Sequence, residues 1–94
     1  MSRTKAESKW LSRIASLGCA LCHIQGRGHQ EPEIHHIRTG QGMAERASDF
    51  LAIPLCPACH RRDKGAVHGD KGLMRLSKVD ELDLLAWTIE RATA

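Results

Sequence analysis

The feature that most constrains this chain is a pair of Cys-x-x-Cys sequences. Cys19-Ala-Leu-Cys22 and Cys56-Pro-Ala-Cys59 are separated by 33 residues. Two-residue spacing lets both thiolates of a pair reach one tetrahedral ion, and two pairs complete a four-cysteine zinc shell. A chain of 94 residues buries roughly 60–65% of its unfolded surface, so its core is thin. We therefore predict a structural Zn²⁺ bound by Cys19, Cys22, Cys56 and Cys59.

A redox protein is the alternative interpretation of the cysteines. A thioredoxin-like site has one Cys-x-x-Cys on a βαβ frame, whereas this chain has two such pairs and no such frame. The N-terminal segment is charged and lacks a secretory apolar region. Apolar stretches are also too short for a transmembrane helix. We therefore expect a cytoplasmic protein without membrane contact, because disulfides are rare in the cytoplasm and paired cysteines there indicate a metal site first.

The two ends of the chain have helical patterns. Trp10, Ile14 and Leu17 recur at helical spacing and predict a helix over about 4–17. Leucines and Trp87 predict a second helix over about 80–92, with Asp80 as its N-cap. The segment between them, residues 18–72, holds all eight glycines, all four cysteines and all six histidines. We predict a single domain, residues 1–94, in which both helices pack on this middle segment.

The histidines form a second group of candidate ligands. His35-His36 lies in a short apolar run that predicts a strand, as does the segment 50–55. Successive strand side chains point to opposite faces, so the two imidazoles cannot serve the same purpose. His60 follows the second cysteine pair and His68 comes eight residues later. Since four cysteines already satisfy one ion, a histidine cluster would need another metal.

The order of these motifs resembles that of the HNH, or ββα-metal, nucleases that also carry zinc. Two segments are similar to one branch, the phage recombination-enhancement nucleases, whose DNA cleavage depends on RecA. These segments are Glu33-Ile-His-His-Ile-Arg-Thr-Gly-Gln-Gly-Met43 and Phe50-Leu-Ala-Ile-Pro-Leu-Cys-Pro57. The resemblance runs from about residue 13 to residue 89. It implies a small α+β fold, a zinc-stapled hairpin followed by a helix, with flanking N- and C-terminal helices.

The resemblance also implies roles for the histidines. His35 would bind a catalytic divalent cation, usually Mg²⁺, and His36 would be the general base that takes a proton from water. His60 and His68 would be the other residues on the metal side. The partners implied are DNA and RecA–DNA filaments, and the sequence leaves the oligomeric state open.

One departure from the HNH pattern concerns the residue that orients the base. The chain contains no asparagine, although an asparagine commonly begins the segment corresponding to Leu51–Leu55. The group that orients His36 would instead be Ser48, Asp49 or a backbone carbonyl.

The charge distribution is compatible with a polyanionic partner. Residues 80–94 hold four acids and one arginine, a charge of −3, whereas the first 79 residues carry +6, which gives the net charge of +3. Such a field favours nucleic acid but is also typical of an ordinary basic surface. The candidate phosphate-binding residues lie near the histidines in sequence: Arg38, Arg46, Arg61, Arg62 and Lys64.

Two functional hypotheses follow from these patterns. The first is a metal-dependent DNA endonuclease that hydrolyses phosphodiester bonds. The second is a non-catalytic zinc module that binds nucleic acid or protein. The second would keep the four cysteines but would not need His35, His36 and His68 together, so their joint presence favours the enzyme.

Overall fold

The computed structural model describes residues 3–37, 47–62 and 80–94, with the side chains of Arg61 and Arg62 left out. Helix α1 covers Lys5–Ala15 and a short helix α2 covers Ala20–Ile24. Strands β1, Glu33–His36, and β2, Ala52–Leu55, are followed by a π-helical turn, Ala58–Arg62. Helix α3 covers Glu81–Ala92. This small α+β arrangement, a two-stranded sheet with helices, agrees with the predicted class.

Helix α1 begins in a capping box that sequence reasoning did not identify. The Thr4 hydroxyl accepts from the Glu7 N–H at 3.1 Å, and the Glu7 carboxylate accepts from the Thr4 N–H at 2.9 Å. These bonds satisfy backbone donors that the first helical turn leaves unpaired. The helix ends at Ala15, two residues before the end of the predicted range, and Gly18 follows with a φ of +80°. A Cβ at Gly18 would lie 2.6 Å from the His29 ring.

The two strands form an antiparallel pair in which His35 lies opposite Ile53 and Ile34 opposite Pro54. The Ile37 N–H donates to the Leu51 carbonyl at 2.8 Å. Because hydrogen-bonded and non-bonded pairs alternate along such a ladder, Pro54 lies at a non-bonded position. Its missing N–H therefore costs the ladder no bond. Both strands of this two-stranded sheet are edge strands, where proline is tolerated.

The core forms around β2, whose four residues are all buried and which contacts α1, α2 and α3. Ile14, Leu21, Ile53, Leu55 and Leu84 are completely buried there. Helix α3 begins with the predicted Asp80 cap, whose carboxylate accepts from the Asp83 N–H at 2.9 Å. Helix α2 and the π-helical turn, which carry cysteines of both pairs, both contact this strand. Helices in the described part are all too short or too polar to cross a bilayer.

Candidate metal centres and active site

The four predicted cysteines come together as one buried group. Their sulfur atoms all lie within 4.8 Å of one another, with Cys22 Sγ 3.8 Å from Cys56 Sγ and 3.6 Å from Cys59 Sγ. Four sulfurs at about 2.3 Å from a tetrahedral Zn²⁺ lie roughly 3.8 Å apart. The site therefore has the size and donor set of a four-cysteine zinc centre. Within the described ranges, no other group offers three or more metal ligands.

The cysteine group favours a bound cation for electrostatic reasons. A hydrogen bond from the Cys59 thiol lowers the pKa of Cys19 to about 4. Burial raises the pKa of Cys22 to about 12, and donation to the Cys19 sulfur raises the pKa of Cys59. One thiolate is thus stabilised at the expense of its neighbours, because like charges this close repel each other. A divalent cation removes that repulsion and stabilises all four thiolates.

Arg27 contacts this group, a role that sequence reasoning missed. Its Nη2 donates to Cys59 Sγ at 3.2 Å across 32 residues of sequence. Four thiolates around Zn²⁺ leave a net charge of about −2, which a neighbouring guanidinium partly offsets. The arginine lies in a glycine-flanked loop, Gly26-Arg-Gly28, and nothing in that short motif indicated a sulfur partner.

We expect Arg27→Gln to release zinc about tenfold faster than the wild type. Residues that hydrogen-bond to metal ligands typically change metal affinity by about 10–100-fold when mutated. The measurement is the rate of zinc transfer to a chromogenic chelator, with the exposed Lys5→Gln as a matched loss of positive charge. Equal rates for the two variants would show that Arg27 does not stabilise the zinc centre.

Two of the four predicted active-site histidines meet away from the cysteines. His35 Nδ1 lies 3.2 Å from His60 Nε2, and the rings are nearly perpendicular. His35 is on β1 and is 5% exposed, while His60 lies in the π-helical turn after the second cysteine pair. Zinc ligation by Cys56 and Cys59 would therefore fix the backbone that presents His60 to β1.

A carboxylate contacts the outer nitrogen of each ring. His35 Nε2 lies 2.8 Å from Glu81 Oε2, and His60 Nδ1 lies 2.7 Å from Glu33 Oε1. An ionised carboxylate can only accept, so we assign a proton to each of these outer nitrogens. The inner nitrogens, Nδ1 of His35 and Nε2 of His60, then direct lone pairs toward each other when both imidazoles are neutral.

This geometry suits a shared cation. Two nitrogens that each lie about 2.1 Å from one ion are separated by roughly 3.0–3.4 Å. The observed separation of 3.2 Å falls within that range. Carboxylates behind metal-bound imidazoles are a common arrangement that fixes the tautomer and strengthens the ligand. His35 and His60 therefore fit a divalent cation as two of its ligands.

His36 faces the other side of the strand and forms a separate group. Its Nε2 lies 2.7 Å from Asp49 Oδ1, while Arg3 Nε donates to Asp49 Oδ2 at 2.6 Å. Asp49 is 1% exposed, whereas the His36 side chain is 31% exposed. The buried carboxylate therefore assigns the proton to Nε2 and leaves Nδ1 of the partly exposed ring as a proton acceptor.

The choice among the groups that could orient His36 was left open by the sequence. The structure places Asp49 against the ring, while the Ser48 hydroxyl accepts from the Phe50 N–H at 3.1 Å. The alternation of β1 could have indicated Glu33, which shares a strand face with His35. Glu81 is 46 residues from His35, so no local pattern indicated that contact.

The remaining histidines have other neighbours. His23 stacks on Trp87 with ring centroids 5.4 Å apart, and exposed His29 lies 3.4 Å from Glu31. Several predicted site residues lie outside the described residues: His68, Arg38, Arg46 and Lys64, together with the side chains of Arg61 and Arg62.

A comparison with protein families identifies the chain. The family described as recombination enhancement, RecA-dependent nuclease matches residues 3–93. The chain belongs to this family. The family's description is that of a nuclease, which is an enzyme acting on nucleic acid, and it implies DNA as substrate. No curated protein and no solved structure matches the chain.

Proposed function

We propose that this member of the family is a metal-dependent HNH endonuclease that hydrolyses phosphodiester bonds of DNA. The observation that carries the proposal is the approach of His35 Nδ1 and His60 Nε2 to 3.2 Å, with a carboxylate behind each ring. An antiparallel hairpin followed by a helical turn that carries His60 is compatible with the ββα-metal arrangement. In this proposal His68 completes the metal side.

The two proposed ions have different purposes. Zn²⁺ at the four cysteines holds the scaffold, and Mg²⁺ or another divalent cation is bound by His35 and His60. Imidazole nitrogens suit transition-metal ions better than Mg²⁺, so we expect Mn²⁺ to support faster cleavage. When bound, the cation stabilises the negative charge that develops on the scissile phosphate and the leaving oxygen.

His36 is the proposed general base. Asp49 accepts the Nε2 proton, so Nδ1 can take a proton from the attacking water. Asp49 also stabilises the imidazolium that forms, because its carboxylate is buried and held by Arg3. We regard Asp49 as a positioning residue that replaces the missing asparagine of the HNH pattern.

The substrate contacts proposed for this enzyme are electrostatic. Arg38, Arg46, Arg61, Arg62 and Lys64 would bind backbone phosphates, which position DNA without reading its sequence. RecA–DNA filaments are the proposed setting for cleavage, as part of phage or prophage recombination.

The proposal is tested by plasmid cleavage. Purified protein is incubated with supercoiled plasmid and Mn²⁺ or Mg²⁺, with and without RecA and ATP. We expect divalent-dependent nicking or linearisation that is lost in His35→Ala but retained in His29→Ala, which removes an exposed imidazole from another part of the molecule. Zinc content should be unchanged in both variants.

A specific result would favour a non-catalytic zinc module instead. In that case the plasmid would stay intact under every condition, while labelled oligonucleotides would still bind to the zinc-loaded protein. Cleavage that persists undiminished in His35→Ala would separately contradict the proposed metal site.

A further inference from the structure

A shallow apolar groove along α1 has no part in the proposed mechanism. Its volume is about 340 Å³, and it is lined by Ala6, Lys9, Trp10, Arg13, Phe50 and Ala92. We call it the Trp10 groove. Its volume lies at the lower end of the roughly 300–1,000 Å³ typical of small-molecule sites.

The groove contains most of the few aromatic residues of this chain. Only three residues of the sequence are Phe, Tyr or Trp, and two of them, Trp10 and Phe50, lie here. Their ring centroids are 6.4 Å apart and the rings are inclined at 45°. Phe50 is 47% exposed, although exposure of so large an apolar ring has an unfavourable hydration cost.

The charged residues of the groove are both cationic. Lys9 is exposed on α1, and Arg13 is held in place by donating to the carbonyls of Ala92 and Arg91 at 3.1 and 3.2 Å. Among the residues that the structure describes, no acid lines the groove. An aromatic floor with a basic rim is the combination by which proteins bind single-stranded nucleic acid, since bases stack on the rings and phosphates contact the cations.

The position of the groove links it to the proposed cleavage site. Phe50 directly follows Asp49, whose carboxylate contacts His36. Arg3, which also contacts Asp49, precedes Ala6 by three residues and leads into the α1 face that forms the groove. A residue that lines the groove, Phe50, is therefore the chain neighbour of the carboxylate that contacts His36.

Trp10, which lines the groove, also has a buried polar atom without a partner. Trp10 Nε1 is buried and, within the described residues, is the one buried side-chain nitrogen or oxygen without a hydrogen-bond partner. Buried donors are nearly always paired.

From these observations we infer that the Trp10 groove binds an unpaired nucleobase of a single-stranded DNA segment adjacent to the scissile phosphate. The inference rests on the proposed function, and it specifies that the enzyme engages DNA that is locally unpaired. A second copy of the chain is a poorer occupant because both the rim and the whole molecule, with a net charge of +3, are positively charged.

The test measures the intrinsic fluorescence of Trp10. Trp87→Phe leaves Trp10 as the single tryptophan of the chain. This variant is titrated with short oligothymidylate, or with a duplex of equal length, in buffer without added divalent cation so that no cleavage occurs. We expect single strands, but not duplex, to quench Trp10 fluorescence, because stacking brings a base against the indole ring.

Matched variants of the single-tryptophan protein separate the groove from the general basic surface. Phe50→Leu should weaken oligothymidylate binding about tenfold, which is typical of losing one base–aromatic stack. Lys9→Gln should weaken binding and reduce its salt dependence by about one phosphate contact. Leu82→Ala, which truncates a 68% exposed side chain on α3, should bind as tightly as the parent.

Three results would overturn the inference: no quenching, equal quenching by duplex, or Phe50→Leu binding as tightly as the parent. A change in sedimentation mass on Phe50→Leu would assign the groove to a second copy and overturn it as well. The proposed function is tested separately by plasmid cleavage. Cleavage without quenching rejects the groove alone, whereas quenching without cleavage rejects the nuclease mechanism alone.

Discussion

His36→Ala is expected to lower the plasmid-cleavage rate by about 10²–10⁴-fold, the range typical of losing a general base. The side chain is 31% exposed, and its Nε2 faces the buried Asp49 carboxylate. Alanine would remove the proposed proton acceptor while leaving the four-cysteine group and the core unchanged. The measurement is the initial rate of supercoiled-plasmid loss in Mn²⁺, with zinc content and thermal melting followed on the same preparations.

The neighbouring carboxylate provides a second arm of this experiment. Asp49→Asn should reduce the rate less than His36→Ala, because the imidazole remains in place although an amide no longer stabilises the imidazolium by its charge. His29→Ala is the control for losing an imidazole elsewhere. A His36→Ala enzyme that cleaves at the wild-type rate would assign the base to another residue.

Cys19→Ser is expected to abolish stable zinc binding and to leave no cooperative thermal unfolding transition at room temperature or above. Binding of Zn²⁺ to a structural site contributes on the order of 10 kcal/mol of apparent folding free energy. The net stability of a whole domain is of a similar size, about 5–15 kcal/mol. Loss of one of four ligands should therefore unfold a chain whose core is this thin. Metal analysis and circular dichroism melts provide the measurement.

Metal removal from the wild type is the matched control. A strong chelator should reproduce the Cys19→Ser melt, and added Zn²⁺ should restore the transition in the wild type but not in the variant. His36→Ala should melt like the wild type throughout. If Cys19→Ser retained one zinc per chain and a normal melt, the four-cysteine centre would be wrong.

Local patterns were sufficient to predict most of the elements. Helical spacing of apolar residues indicated α1 and α3, and Asp80 caps α3 through Asp83 as expected. The end of α1 was placed two residues too late, since the chain turns after Ala15 to reach Gly18. The residue at which a helix ends depends on how the neighbouring loops pack, and the spacing of apolar residues contains no information about that packing.

The spacing of the cysteines also indicated which residues form the candidate metal site, but it did not indicate the residues that hydrogen-bond to the candidate ligands. Cysteines separated by two residues usually bind a metal or take part in redox chemistry. Their spacing therefore indicated the four-cysteine group, whose sulfur atoms all lie within 4.8 Å of one another. Glu81 and Arg27 contact His35 and Cys59 from 46 and 32 residues away. Those contacts exist only because α3 and the Gly26–Gly28 loop fold back on β1 and the second cysteine pair.

The sequence alone determined that this chain carries one four-cysteine group, because the spacing of the cysteines is a local property. It also determined that the side chains of His35 and His36 point to opposite faces of one strand, because successive side chains of a strand alternate. Tertiary structure decided which histidine contacts His60, which carboxylates contact His35 and His60, and that Trp10 and Phe50 share one groove. These pairings join residues between 25 and 46 positions apart. They are determined by how α1, α3 and the hairpin pack together, and no local rule of spacing specifies that packing.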